Sequence, residues 1–121
     1  MNSFKITTAL PTLNEYINLE RTNKFIASAM KKKNTELCSR YALQMPKLDN
    51  VLYDLELLWT VPNSRKDPDN VYFAVKFILD GVVKAGRLTG DGMKNIRNIH
   101  HNIQVVKGES SVLIIFVPIE Q

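Results

Sequence analysis

The spacing of apolar residues along the chain predicts four β-strands. Apolar and polar residues alternate over residues 4–10 and again over residues 51–61, a pattern typical of strands buried on one face. Residues 99–106 are also expected to form a strand. Residues 112–117 are continuously apolar, which predicts a strand in the middle of a sheet. Pro11 should end the first strand.

Two stretches with helical spacing separate these strands. Residues 19–41 have apolar positions at intervals of seven and four, which predicts a helix. Asn34 is a candidate for a break within this helix. Residues 68–85 predict a second helix, which Pro68 begins and Gly86 ends. The core stripe of the first helix is Leu19, Ile26, Met30, Leu37 and Tyr41. The core face of the second is Val71, Ala74, Val75, Ile78, Val82 and Ala85.

The order β-α-β-α-β-β predicts an α/β (α+β) fold, with a small mixed sheet covered by two helices in a single domain of residues 1–121. No apolar run approaches the roughly 20 residues of a membrane span. The first five residues lack the features of a signal peptide. Cys38 is the only cysteine, so it forms no internal disulfide. We therefore expect a cytoplasmic protein without membrane contact.

The net charge of +4 is unevenly distributed. Residues 1–50 hold eight Lys and Arg against four Asp and Glu, whereas residues 51–121 hold eight of each. A basic half beside an acidic cluster indicates a polyanion partner near a cation site, although many soluble proteins carry such a charge. The candidate phosphate contacts are Lys31, Lys32, Lys33, Arg65 and Lys66. The three consecutive lysines also fit an ordinary solvated helix face.

Three aspartates form the most informative feature of the sequence. Asp67 precedes the second predicted helix, Asp69 lies in its first turn, and Asp91 occupies a glycine-rich turn after it. If that turn returns toward Asp67, the three carboxylates converge and repel one another unless a cation lies between them. Mg²⁺ prefers oxygen ligands of this kind. Such ions activate water and stabilise the leaving oxygen in phosphodiester cleavage.

Lys76 and Asp80 are predicted to share a polar stripe with Asp69, within roughly 20° around the helix axis. There Lys76 would meet a phosphate. The same residues also suit structural roles, with Asp67 as N-cap, Asp69 near the positive helix end, and Lys76 paired with Asp80. Asp91 has no such structural role, and this favours the metal-binding interpretation.

Two aromatic and two imidazole side chains admit other roles. Phe73 and Phe77 are predicted to flank the core face of the second helix, where packing is favoured over wedging between nucleic-acid bases. His100 and His101 point to opposite faces of an alternating strand, so they cannot share a small site. We interpret both histidines as structural.

The sequence around the aspartates resembles the RusA family of Holliday-junction resolvases. The resembling positions are the run Lys66-Asp67-Pro68-Asp69-Asn70, then Lys76, Leu79-Asp80-Gly81, Ala85-Gly86, Asp91 and Ile96. Leu10-Pro11, Asn14 and Tyr16 are similar to the family's strand-end proline and Asn/Tyr pair. The similarity is most specific over residues 67–96. The acidic turn reads Gly90-Asp91, where many members have two adjacent aspartates.

The resemblance implies a homodimeric endodeoxyribonuclease of DNA recombination and repair. Such an enzyme binds four-way DNA junctions and cuts two strands with Mg²⁺, for which Mn²⁺ can substitute. The implied metal ligands and catalytic residues are Asp67, Asp69 and Asp91, with Lys76 assisting at the phosphate and Asn70 and Asp80 supporting. Three alternatives stay open: a Mg²⁺ nuclease for other branched nucleic acids, a non-catalytic nucleic-acid-binding dimer, and a small scaffold protein.

Overall fold

A four-stranded mixed sheet forms the centre of the computed structural model, which describes residues 2–119. The strands are β1 (Ser3–Ile6), β2 (Tyr53–Val61), β3 (Ile96–Val105) and β4 (Ser111–Pro118), in the spatial order β1-β4-β2-β3. β4 pairs antiparallel with β1 and β2, whereas β2 and β3 are parallel. The predicted mixed sheet is confirmed, and residues 112–117 do lie in a central strand. β1 ends at Ile6, so the expectations that the first strand extends to residue 10 and ends at Pro11 are wrong.

Four helical segments connect the strands. α1 (Leu13–Thr22) and α2 (Lys24–Ala42) lie between β1 and β2, and α3 (Pro68–Tyr72) and α4 (Val75–Lys84) lie between β2 and β3. Each helix that the sequence predicts therefore consists of two segments, in an otherwise correct element order. Within residues 2–119, no helix combines the length and the apolar character needed to cross a membrane.

The first helical region begins and breaks at polar caps. It starts at Leu13 because Thr12 Oγ1 accepts a hydrogen bond from Glu15 N at 3.4 Å. It breaks at Asn23, whose side-chain oxygen accepts hydrogen bonds from the first amides of α2. Asn34 does not interrupt α2, because its side-chain amide donates to a carbonyl one turn earlier. The expected start near residue 19 is therefore wrong.

Small residues, not the predicted large ones, form the buried face of α2. Ile26 is 51% exposed, and the buried positions are Ala27, Cys38, Ser39 and Ala42. α2 and α4 approach closely at Gly81, where a Cβ atom would lie 2.6 Å from Cys38 Cβ. Burial at this contact raises the pKa of the Cys38 thiol to about 12. Of the predicted stripe, only Ile26 is exposed, whereas Met30 and Tyr41 are partly buried against the core, so the spacing of large apolar residues predicts the buried face in part.

Alternation correctly predicts the buried face of β2. Residue 51, predicted on the same face, precedes the strand and is exposed. The buried side chains of the sheet are Tyr53, Leu55, Leu57 and Trp59 of β2, Phe4 and Ile6 of β1, and Val112, Ile114 and Phe116 of β4. They form one core with buried residues of α2, α3 and α4.

The second helical region bends between α3 and α4. Lys76 N donates to Phe73 O at 3.2 Å and Phe77 N to Ala74 O at 3.0 Å, the i to i+3 spacing of a tighter helix. This winding rotates α4 relative to a uniform helix. Phe77, predicted beside the core face, is completely buried, whereas Phe73 is half-buried. Gly86 ends α4 with a φ of 69°, as predicted.

Candidate functional site

The loop after β2 carries Asp67 and Asp69 to the start of α3. Asp67 occupies the N-cap position, but its side chain makes no capping hydrogen bond. Asp69 lies in the first turn, and both side chains are exposed. No ion pair between residues of the described chain involves either carboxylate. The capping role that would explain the Asp67 side chain is therefore absent.

The first turn of α1 lies against this acidic segment. Asn14 N donates to Asn70 Oδ1 at 3.0 Å, and Lys66 Nζ lies 3.5 Å from Glu15 Oε1. The Asn70 oxygen is thereby engaged with the backbone of α1, so this side chain fixes α3 in place. The sequence contains no local signal for this contact, because the two asparagines are 56 positions apart.

Aromatic side chains hold α3 from two sides. Tyr16 of α1 packs on Phe73 with ring centroids 5.6 Å apart. Tyr72 stacks on the imidazole of His101, with centroids 4.2 Å apart and ring planes 12° from parallel. Trp59 Nε1 donates a hydrogen bond to His101 Nδ1 at 2.9 Å. The segment that carries the two aspartates is therefore attached to both α1 and the sheet.

Acidic pH should weaken the His101 contact. Burial lowers the pKa of His101, so the folded protein favours the neutral ring, whose Nδ1 accepts from Trp59. Because the folded pKa lies below the unfolded value, the stability that His101 supports is present above about pH 6.5 and is lost as the pH falls further.

Thermal unfolding of wild type, His101→Gln and His100→Gln checks this prediction. Gln at position 101 accepts from the indole without titrating, so its melting temperature should fall less between about pH 7.5 and 5.5. His100 is exposed on the opposite face of β3, so His100→Gln should keep the wild-type dependence. An unchanged pH dependence in His101→Gln would contradict the prediction.

Asp91 lies at the other end of β2. Two backbone hydrogen bonds fix the position of its loop. Leu48 N donates to Arg87 O at 2.8 Å, and Tyr53 N, at the start of β2, donates to Asn95 O at 2.9 Å. β2 has nine residues and therefore spans about 26 Å, and Asp67 follows its far end.

The parallel pairing of β2 and β3 explains this separation. A parallel pair needs a crossover that returns the chain to the end where the first strand began. α3 and α4 form that crossover, so the loop after α4 arrives beside Tyr53 and not beside Val61. The expectation that the turn at Asp91 returns toward Asp67 within one chain is therefore wrong.

Lys76 and Asp80 pair with each other on α4. Their Nζ and Oδ1 atoms are 3.2 Å apart, with the lysine side chain 55% exposed. The predicted alignment of Lys76 and Asp80 with Asp69 assumes one continuous helix. The bend between α3 and α4 breaks that helix, so this alignment does not follow. The observed contact is the ordinary i,i+4 ion pair that the sequence leaves as an alternative.

The basic residues predicted to contact phosphate lie in two exposed regions. Lys31, Lys32 and Lys33 are in the middle of α2, whereas Arg65 and Lys66 are in the loop before α3. The loop pair adjoins the acidic segment. The contact of Lys66 with α1 is between exposed side chains and contributes little to stability, so this lysine is available to an anion.

The acidic residues fit a magnesium ion in part. Among residues 2–119, no three His, Cys, Asp or Glu side chains are grouped to hold a metal. Asp67 and Asp69 nevertheless offer two exposed carboxylates that form no ion pair with any cation of the described residues. Mg²⁺ is usually held by one or two carboxylates, with waters and substrate phosphates as its other ligands. The donor chemistry of this pair therefore suits Mg²⁺.

Comparison with known proteins adds no assignment. The sequence matches no protein-family model, and a search of curated proteins finds no significant match.

Proposed function

We propose that this protein is a Mg²⁺-dependent endodeoxyribonuclease that cuts four-way (Holliday) DNA junctions. The observation that carries the proposal is that Asp67 and Asp69 form no ion pair in the part of the chain that the structure describes. Within residues 2–119, these two carboxylates lie two positions apart with no ion pair, and Asp67 makes no capping hydrogen bond, so no side-chain contact offsets their mutual repulsion. A bound cation would offset both negative charges. The resemblance to RusA resolvases implies that this cation takes part in phosphodiester cleavage.

The chemistry divides between the ion and the neighbouring side chains. When bound, Mg²⁺ or Mn²⁺ supplies water activation and stabilisation of the leaving oxygen. Asp67 and Asp69 hold the ion at the start of α3. Arg65 and Lys66 bind the adjacent phosphates, the arginine through two parallel hydrogen bonds and the lysine as a point charge. Asn70 contributes indirectly, because its bond to α1 sets the position of α3.

Lys76 contributes only after a change of partner. It is paired with Asp80 on an exposed surface, and such pairs are weak enough to exchange for a phosphate. Lys31, Lys32 and Lys33 add contacts to the DNA backbone that carry no sequence information.

We infer that Asp91 acts across the interface of a homodimer. Paired incisions in a two-fold symmetric junction call for two symmetric sites, and two-fold dimers are the commonest oligomers. The proposed dimer would be one in which an antiparallel arrangement of the two subunits brings the α3 start of one beside the 86–95 loop of the other. The partner subunit's Asp91 then completes the carboxylate set of Asp67 and Asp69, which a single chain does not assemble.

Cleavage of a labelled synthetic four-way junction, beside a matched linear duplex, tests the proposal. With Mg²⁺ we expect paired cuts in the junction, no cuts in the duplex, and no cuts of either in chelator. Equal cleavage of other branched substrates would instead favour a broader nuclease. Binding without cleavage in Mg²⁺ or Mn²⁺ would favour a non-catalytic binding dimer, and an absence of junction binding would contradict the proposal.

A further inference from the structure

A cavity of about 210 Å³ opens beside Lys66, where β2 ends and β4 begins. Its apolar wall includes Leu10, Trp59 and Val112, and its polar groups include Thr8, Asn63 and Ser110. We call this space the β-end cavity. It adjoins the loop that carries Asp67, so anything bound in it lies next to the proposed phosphate contact.

Several polar groups of the β-end cavity have free hydrogen-bonding capacity. Thr60 is committed, because its Oγ1 accepts from a glutamine of β3. No side-chain hydrogen bond to another described residue involves the hydroxyls of Thr8 or Ser110. Asn63 uses its Oδ1 to accept from Arg65 N at 3.0 Å, which leaves its amide hydrogens free. The wall therefore offers both donors and acceptors to an occupant.

The size and chemistry of the β-end cavity restrict what it holds. It is smaller than the roughly 300–1,000 Å³ of sites for drug-sized ligands, so one ring system fits better than a whole cofactor. Apolar walls with a few hydroxyl and amide groups suit a flat ring with a hydrogen-bonding edge. Lys66 at the rim suits an anion attached to that ring.

We propose that the β-end cavity holds one unpaired nucleobase of the DNA strand whose phosphate lies at Lys66. Enzymes that modify a base take it into a pocket of this kind, and bases that are already unpaired leave the stack at least cost. The identity of the strand rests on the proposed function, in which a bound junction that opens at its branch point would supply such bases. The affinity of the cavity for a base does not depend on cleavage.

Tryptophan fluorescence measures this binding directly, because Trp59 is the only tryptophan and lines the cavity. The probes are CMP and AMP, with ribose 5-phosphate as the control that lacks a base. Excitation at the red edge of the indole band avoids absorption by the nucleotides. At least one nucleotide should change the emission saturably, whereas ribose 5-phosphate should not.

Ala9→Leu fills the cavity from an exposed position and should weaken nucleotide binding by about tenfold or more. Ala29→Leu makes the same change on the exposed face of α2 and should leave binding unchanged. Ser110→Leu fills the cavity from another side, so it replaces Ala9→Leu if that variant fails to fold.

The outcomes separate this proposal from the proposed function. A saturable nucleotide response that Ala9→Leu removes would support the cavity assignment even in a protein that cuts no junction. Junction cleavage by a protein with no nucleotide response would leave the nuclease intact and overturn the cavity assignment. An equal response to ribose 5-phosphate would also overturn it, because the base would then contribute nothing.

Discussion

Asp69→Asn should lower junction cleavage by orders of magnitude while the protein stays folded. Asparagine matches aspartate in size but lacks the charge that holds Mg²⁺, so the water and the leaving oxygen lose their activation. The fold should survive, because Asp69 is exposed and has no partner among residues 2–119. Junction affinity should persist or rise, because the phosphates then meet less negative charge.

A matched control separates loss of the ion from a general charge effect. Glu56→Gln removes one negative charge from an exposed position on the open face of β2, remote from α3, and should cut like the wild type. Asp67→Asn should behave like Asp69→Asn. A role in capping alone predicts that Asp67→Asn is silent, since Asn caps as well as Asp. Full activity of a folded Asp69→Asn protein would contradict the metal assignment.

Most of the sheet could be predicted from the sequence because its signals are local. Alternation identifies the buried face of β2, and the continuous apolar run identifies β4 as a central strand. The helices were harder to place. Polar caps at Thr12 and Asn23 set their limits, and the small residues around Cys38 form their contact. Neither the polar caps nor the small residues produce a strong periodic pattern of apolar positions.

The sequence predicts which residues belong to the candidate site, but it does not predict their positions relative to one another. The exposure of Asp67, Asp69 and Lys66 follows from local sequence. The separation of Asp91 follows from the parallel pairing of β2 with β3, which no local pattern reveals. The contact of Trp59 with His101 was missed for the same reason, because it depends on the register between those strands.

Mixing Asp69→Asn with Asp91→Asn protein tests most directly whether carboxylates of two subunits form one metal-dependent nuclease site. Each variant alone should be inactive, because both of its sites lack one carboxylate. In a hybrid dimer, one site carries both substitutions, and the other combines native Asp69 from one subunit with native Asp91 from its partner.

Exchange of subunits in an equal mixture should therefore restore cleavage from two inactive proteins. Random pairing makes about half of the dimers hybrid, each with one intact site of two, so nicking should reach about a quarter of the wild-type rate. The product should be a single-strand nick and not paired cuts. A tag on one variant and native mass spectrometry confirm that hybrids form. Hybrid dimers that leave the junction uncut in Mg²⁺ would contradict the shared site.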